Sequence, residues 1–314
     1  MLSRIADSLY WLSRYMERAD GIIRMMRVNY ISSFDKGEHG TTSWQPVLQI
    51  FSSPDAGMIE QLIVHTNAAI RYLLLVPENH NSVKVMVMRA RENARGAQDH
   101  ITKELWEQVN HLYHLINNTA ITRKAADNDS MLSLLEDLSG QMVLYQGVVE
   151  SSMPRNMGWS FMNTGKYLER ALISLEVIDR HFCSVQYDLQ TDRDVLFWRN
   201  LLLSLSGFEL YLKNYSSSRH SLNVADQILF SREFNRSVRF CLDRMQYELT
   251  QLVEDNHPEE KDKLWKCFGR LYSQVAYSDM DNVCQVSLHD FLRNVQQELQ
   301  QYCRMFTQVF FSYA

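Results

Sequence analysis

Arg14-Tyr15-Met16-Glu17-Arg18-Ala19 and Lys166-Tyr167-Leu168-Glu169-Arg170-Ala171 are close copies of one another, set 152 positions apart (166 − 14) in a chain of 314 residues. A repeat that preserves structure should preserve the register of its apolar residues along with a few polar identities. In the first copy Ile5, Leu9, Leu12, Met16, Ala19, Ile23, Met26 and Tyr30 follow one another by steps of four and three. The same offset lands on Met157, Phe161, Thr164, Leu168, Ala171, Leu175, Ile178 and Phe182, where only Thr164 interrupts an apolar or aromatic series. Such a period is the seam of a long helix packed on others. Each half of the chain is therefore expected to open with a long helix that carries a Glu-Arg pair. Further on, Asn81-Ser82-Val83 parallels Arg236-Ser237-Val238 at an offset of 155 (237 − 82), a loop's worth more than the first.

Composition points the same way. Hydrophobic residues make up 46% of the chain, ample for a buried core, while Gly at 11 and Pro at 5 are scarce. Those two residues punctuate turns, so their scarcity argues for few, long helices, and no convincing alternating strand is present. The expected fold class is all-α: a multi-helix bundle built from two related halves by a pseudo-twofold duplication. The halves are 1–154 and 155–314, packed as one rigid unit because no low-complexity linker separates them. The formal charge of −5 mixes both signs throughout and leaves no basic stripe for nucleic acid. No apolar run approaches the roughly 20 residues that a membrane span needs, and no signal-like block follows the amphipathic start around Arg4 and Asp7. Cys183, Cys241, Cys267, Cys284 and Cys303 form an odd set without a Cys-x-x-Cys pair, which fits reduced thiols. The expectation is a soluble cytoplasmic protein without nucleic acid, membrane or cofactor, for which a second copy of the chain is a candidate partner.

The first helix is expected from Ser3 to Ser33, ahead of the turn formers Asp35-Lys36-Gly37-Glu38-His39-Gly40. Helices over Ser43–Ser52 and Gly57–Leu75 follow, with Pro54 and Pro77 as breakers. One capped at Asn81-Ser82 carries Arg91-Glu92-Asn93-Ala94-Arg95, another runs from Thr102 to Asn117, and the half closes with Asn128 to Met153 before Pro154. The second half continues from its motif helix through Thr191–Tyr215, Leu222–Phe230, Asn235–Glu254, Glu259–Ala276 and Met280–Ser312. Acidic residues at the starts, Asp192 and Asp194 after Thr191, Glu259 and Glu260 after Pro258, suit the positive helix end.

At about 100° per residue, Arg14, Glu17 and Arg18 share a sector opposite the apolar seam. That sector also holds Tyr10, Gly21 and Met25, and in the second copy Trp159, Met162, Ile173 and Val177 around Lys166, Glu169 and Arg170. A helix apolar on both sides is sandwiched, which brings the charges at least partly inside, where they must be paired. Two roles compete. In one, each Glu accepts from an arginine, with Arg91, Glu92 and Arg95 as candidate partners, and fixes helix register. In the other, both copies and that cluster line a pocket whose arginine forks bind a carboxylate or phosphate while Glu acts as a base. Glu107, His111 and His114 share one helical face, yet di-iron bundles need Glu-x-x-His on two helices, and the only such spacing here is Glu254 to His257. No metal is expected; Met86 and Met88 read as core.

Tyr10 to Ala19, Ala90-Arg91-Glu92-Asn93-Ala94-Arg95, the Trp106 to Asn110 segment and Asn163-Thr164-Gly165 followed by the second motif together resemble the bacterial alpha-E family, over nearly the whole chain. Where that family commonly has Gly-Arg, this chain has Gly165-Lys166. The resemblance implies an all-helical fold marked by Arg14, Glu17, Arg18, Asn163, Lys166, Glu169 and Arg170. Genes of the family tend to accompany a circularly permuted ATP-grasp ligase and a transglutaminase-like peptidase, so the resemblance also implies partners in peptide or amide-bond formation. The expected function is a helical accessory or scaffold protein of such a ligase. The alternative is an enzyme with a Glu/Arg site for a small carboxylated or peptide substrate.

Overall fold

The computed structural model describes residues 1–35, 44–52, 60–190, 193–216, 218–253 and 258–311, and among them every regular element is helical. The chain divides into two compact units, one made of Trp11–Arg155 and the other of Met1–Tyr10 with Asn156–Ala314. The long first helix, α1 (Ser3–Asp35), therefore gives its opening turns to the second of these units.

In the unit Trp11–Arg155, α1 is followed by α2 (Gln45–Phe51), α3 (Thr66–Leu75), α4 (Val83–Gly96), α5 (Lys103–Ile116), α6 (Thr119–Lys124) and α7 (Asn128–Ser152). Three starts are set by side chains that satisfy otherwise orphaned backbone donors. Ser82 Oγ accepts from Val85 N, Thr102 Oγ1 from Leu105 N, and Asp127 from Asp129 N. The amphipathic α5 buries Leu105, Val109, Leu112 and Ile116, and packs on α4 and α7. The single helix expected over Gly57–Leu75 is instead broken before Thr66. There Ile63 spends its carbonyl on Trp44 N (3.1 Å), while the fully buried Trp44 ring donates through Nε1 to Thr66 Oγ1 (3.1 Å). The short helix α6, absent from the sequence expectation, is capped by Asn118, whose side chain accepts from Ala120 N.

The other unit contains α8 (Met157–Cys183), α9 (Val195–Ser204), α10 (Phe208–Asn214), α11 (His220–Phe230), α12 (Val238–Val253), α13 (Pro258–Ala276), α14 (Met280–Val286) and α15 (Leu288–Phe311). Asn156 caps α8 by accepting from Gly158 N and Trp159 N. The helix α8 is the hub: α12 packs along it, with α9, α11 and α15 around. The start of α1 is tied in through an aromatic cluster in which Tyr10 stacks on Phe306 at 5.4 Å and Phe161 meets Phe310 at 5.4 Å.

Two expected helices of this unit are each two. The Thr191–Tyr215 span breaks at Leu205-Ser206-Gly207, where Ser206 takes φ 57° and Gly207 N returns to Leu202 O at 2.7 Å, closing α9 by a left-handed turn. The Met280–Ser312 span breaks at Ser287, φ 136°, which caps α15 by accepting from Asp290 N. Thr191, Asp192, Glu254, His257, Pro54 and the turn expected at 36–40 lie outside the described residues.

Candidate functional site

The motif helices are buried along most of their length. From Ile5 to Tyr30 and from Met157 to Phe182 no residue is exposed, as the two-sided apolar pattern requires. Glu17 is 4% exposed and Glu169 2%. Neither carboxylate lacks an interaction partner.

Within the unit Trp11–Arg155, the Arg18 guanidinium donates to Asn81 Oδ1 at 2.9 Å, immediately ahead of Ser82, the cap of α4. Arg14, also buried, lies over the Trp11 ring at 4.5 Å. Asp20 and Arg24 pair one turn further on. Tyr145 of α7 is hydrogen-bonded to Ser13; burial pushes its hydroxyl well above the ordinary tyrosine range, the Ser13 bond opposing that shift and the Glu17 charge adding to it. Arg89 of α4 sits over the Tyr15 ring at 5.9 Å.

The second motif has a parallel environment inside its own unit. Arg170, 4% exposed, donates to the Asn235 carbonyl (3.3 Å), two residues ahead of Ser237, whose hydroxyl caps α12 by accepting from Phe240 N (2.9 Å). Ser174 Oγ donates to Arg236 O (2.7 Å), so α8 holds the cap segment at consecutive carbonyls. Asn163 donates to the buried Glu248 of α12 at 3.0 Å. Lys166 and Arg170 both lie near the Tyr167 ring, which packs on Phe240, and Arg244 covers Phe240. Arg89 and Arg244 are separated by the same 155 positions (244 − 89) as Ser82 and Ser237. In both units a motif arginine, half-buried Arg18 in one and buried Arg170 in the other, thus bonds to the segment that starts a later long helix.

The third cluster does not join the motif in the way expected. Arg91 donates to Asn110 Oδ1 (2.7 Å), pairs with Glu92 (3.3 Å) and covers the Tyr113 ring at 4.4 Å, so its contacts run to α5 rather than to Glu17. Glu92 and Arg95 are exposed. The physical reason is helical phase: Ala90 and Ala94 take the buried face, which turns Glu92 and Arg95 outward and leaves Arg91 half-buried against α5. Met86 is core, but Met88 is 44% exposed. Glu107, His111 and His114 all face solvent, and among the described residues no three His, Cys, Asp or Glu side chains gather as a metal site. The five cysteines are free thiols.

Sequence reasoning missed Asn81, Asn235, Tyr145 and Glu248, which complete these sites from other helices; Asn81 alone carried a signal, its place before a capping serine. It also missed a polar groove of about 410 Å³ on one flank of α13 and α15, lined by Arg270, Gln274, Asn294, Gln297, Glu298 and Gln301.

A family model described as Alpha-E, a predicted alpha-helical domain with a conserved ER motif, matches residues 1–311. An uncharacterized protein of Mycobacterium bovis and another of Mycobacterium tuberculosis are each 21% identical over 266 residues, which cover 79% of this chain and 30% of theirs. The chain thus spans less than a third of the length of the curated relatives it matches. No solved structure matches it. No described helix is long and apolar enough to cross a membrane.

Proposed function

Because the chain belongs to the Alpha-E family, we propose that it is a helical accessory or scaffold protein of an ATP-grasp-type amide or peptide ligase, with a transglutaminase-like peptidase as a second partner, acting in the cytoplasm. The observation that carries the non-catalytic part is the burial of both motif glutamates beside arginines that hold helix caps. A catalytic carboxylate must meet its substrate, and groups 4% and 2% exposed offer it no surface. In this reading the buried carboxylates instead serve to hold the register of the helices around them. The partner class rests on the family resemblance, and one further fact supports it: in the mycobacterial relatives the similar stretch is only 30% of a longer chain, as suits a module that works beside others. The parallel surroundings of Arg18 and Arg170 support the pseudo-twofold duplication, which forms part of the same proposal.

The test is co-purification of the full chain with a circularly permuted ATP-grasp ligase of the same organism, followed by ligase turnover with and without the chain. A complex at micromolar concentration and a change in turnover are expected. No complex and unchanged turnover would overturn the reading.

A further inference from the structure

The helices α13 and α15 pack together, Phe268 meeting Tyr302 at 5.2 Å, and each buries an apolar stripe, with Leu271 and Val275 on one and Val295 and Leu299 on the other. One step off those stripes stand Arg270 and Gln274 of α13 and Asn294, Gln297, Glu298 and Gln301 of α15, the six residues that line the groove of about 410 Å³. Beside the seam of a helix pair, opposite charges ordinarily pair across the joint. Arg270 and Glu298 do not: among the described residues no hydrogen bond or ion pair engages the side chain of any of the six.

Both charges act on one buried thiol, that of Cys267: burial pushes its pKa up, Glu298 adds to the rise and Arg270 opposes it. They therefore flank the same stretch of the groove. Glu298 is half-buried, and its Oε2 is closed off from water without a donor among the described residues. An unserved carboxylate oxygen is costly, so the charge gains most from a cation at the part of the group that lines the groove. Arg270 asks for the opposite partner, since a guanidinium fork takes a carboxylate by two parallel hydrogen bonds. A phosphate or dicarboxylate would meet Glu298 as a like charge, and a simple amine would leave Arg270 unanswered. An α-amino acid carries an ammonium and a carboxylate on one carbon. The remaining four lining residues are amides, each with a donor and an acceptor, and no apolar residue lines the groove among those described, which favours a hydrogen-bonding side chain over a hydrocarbon one.

We propose that the groove between α13 and α15 binds a free α-amino acid with a polar side chain, its carboxylate on Arg270, its ammonium on Glu298 and its side chain among the amides of Gln274, Asn294, Gln297 and Gln301. The site is separate from the Glu-Arg motif, and the assignment does not depend on the ligase reading. L-Glutamine is the probe. Titrated against the full chain and followed by saturation-transfer NMR, it should bind with a Kd on the order of 0.1–1 mM, as suits a small ligand in an open groove. N-acetylglutamine lacks the ammonium and glutamine α-amide lacks the carboxylate; each should bind at least about tenfold more weakly, and so should leucine. Arg270→Gln, at an exposed position, and Glu298→Gln should each weaken glutamine by a similar factor, and Glu298→Gln should bind glutamine and N-acetylglutamine alike. Absence of binding up to about 10 mM glutamine overturns the proposal. So does binding that neither variant weakens, leucine bound as tightly as glutamine, or a tripeptide of glutamine bound more tightly than the free amino acid. If Glu298→Gln does not fold, Arg270→Gln and the two blocked ligands decide.

Discussion

Glu17 and Glu169 are buried within the stretches 5–30 and 157–182, where no residue is exposed. Both carboxylates are buried and have interaction partners, and removing a buried charge strands the groups it held, so Glu17→Ala and Glu169→Ala should each lower unfolding stability by about 3 kcal/mol, read from urea midpoints. A loss under about 1 kcal/mol at either position would mark an exposed-type pair. His181 supplies a pH test. Its Nδ1 lies 2.9 Å from Val177 O, and burial holds its pKa below the ordinary 6.5. The folded chain thus favours the neutral ring, and the unfolded chain binds more protons as pH falls. Its contribution to stability is whole above that ordinary value and declines as pH drops through it. Urea midpoints measured from about pH 7.5 down to about 5 should fall, and His181→Gln should flatten that fall.

At the scale of elements, the caps were legible because a capping side chain acts on its own next turn: Ser82 and Thr102 stand where their helices begin. The breaks were not. Leu205-Ser206-Gly207 lies within an apolar period that continues on both sides, and the turn is fixed by Gln227 Nε2 donating to Gly207 O at 2.8 Å from another helix. Neighbouring substitutions there should act with opposite sign. Ser206→Gly relieves a positive φ and should stabilise by about 0.5–1 kcal/mol, whereas Gly207→Ala would put its Cβ 2.8 Å from Gln227 Nε2 and Phe234 Cζ and should cost on the order of 1–3 kcal/mol. Thermal melts of both variants check the pair of signs. Ser237→Ala, which removes the cap of α12 as well as the bond to Ser231 O, should cost at least about 1 kcal/mol.

Across the whole molecule, burial follows the motif helices, and so should resistance to opening. Hydrogen exchange should be slowest for amides of α1 between Trp11 and Tyr30 and of α8, and fast in α14, where only Met280 and Val283 are buried. Comparable exchange in α8 and α14 would contradict this order. The sequence by itself determined the all-helical class, the two long helices and the burial of their charged faces, because periods of three and four and the lack of Gly and Pro are local properties written in the chain. It also marked Glu17, Arg18, Glu169 and Arg170, since a repeated polar group inside an apolar helix is visible without coordinates. Only the tertiary structure decided what those arginines hold: Asn81 and Asn235 belong to segments 63 and 65 residues away. It likewise turned Arg91 toward Asn110 instead of Glu17. A hydrogen bond between distant segments depends on where two backbones meet, and a periodic pattern fixes only which face of each helix is turned inward.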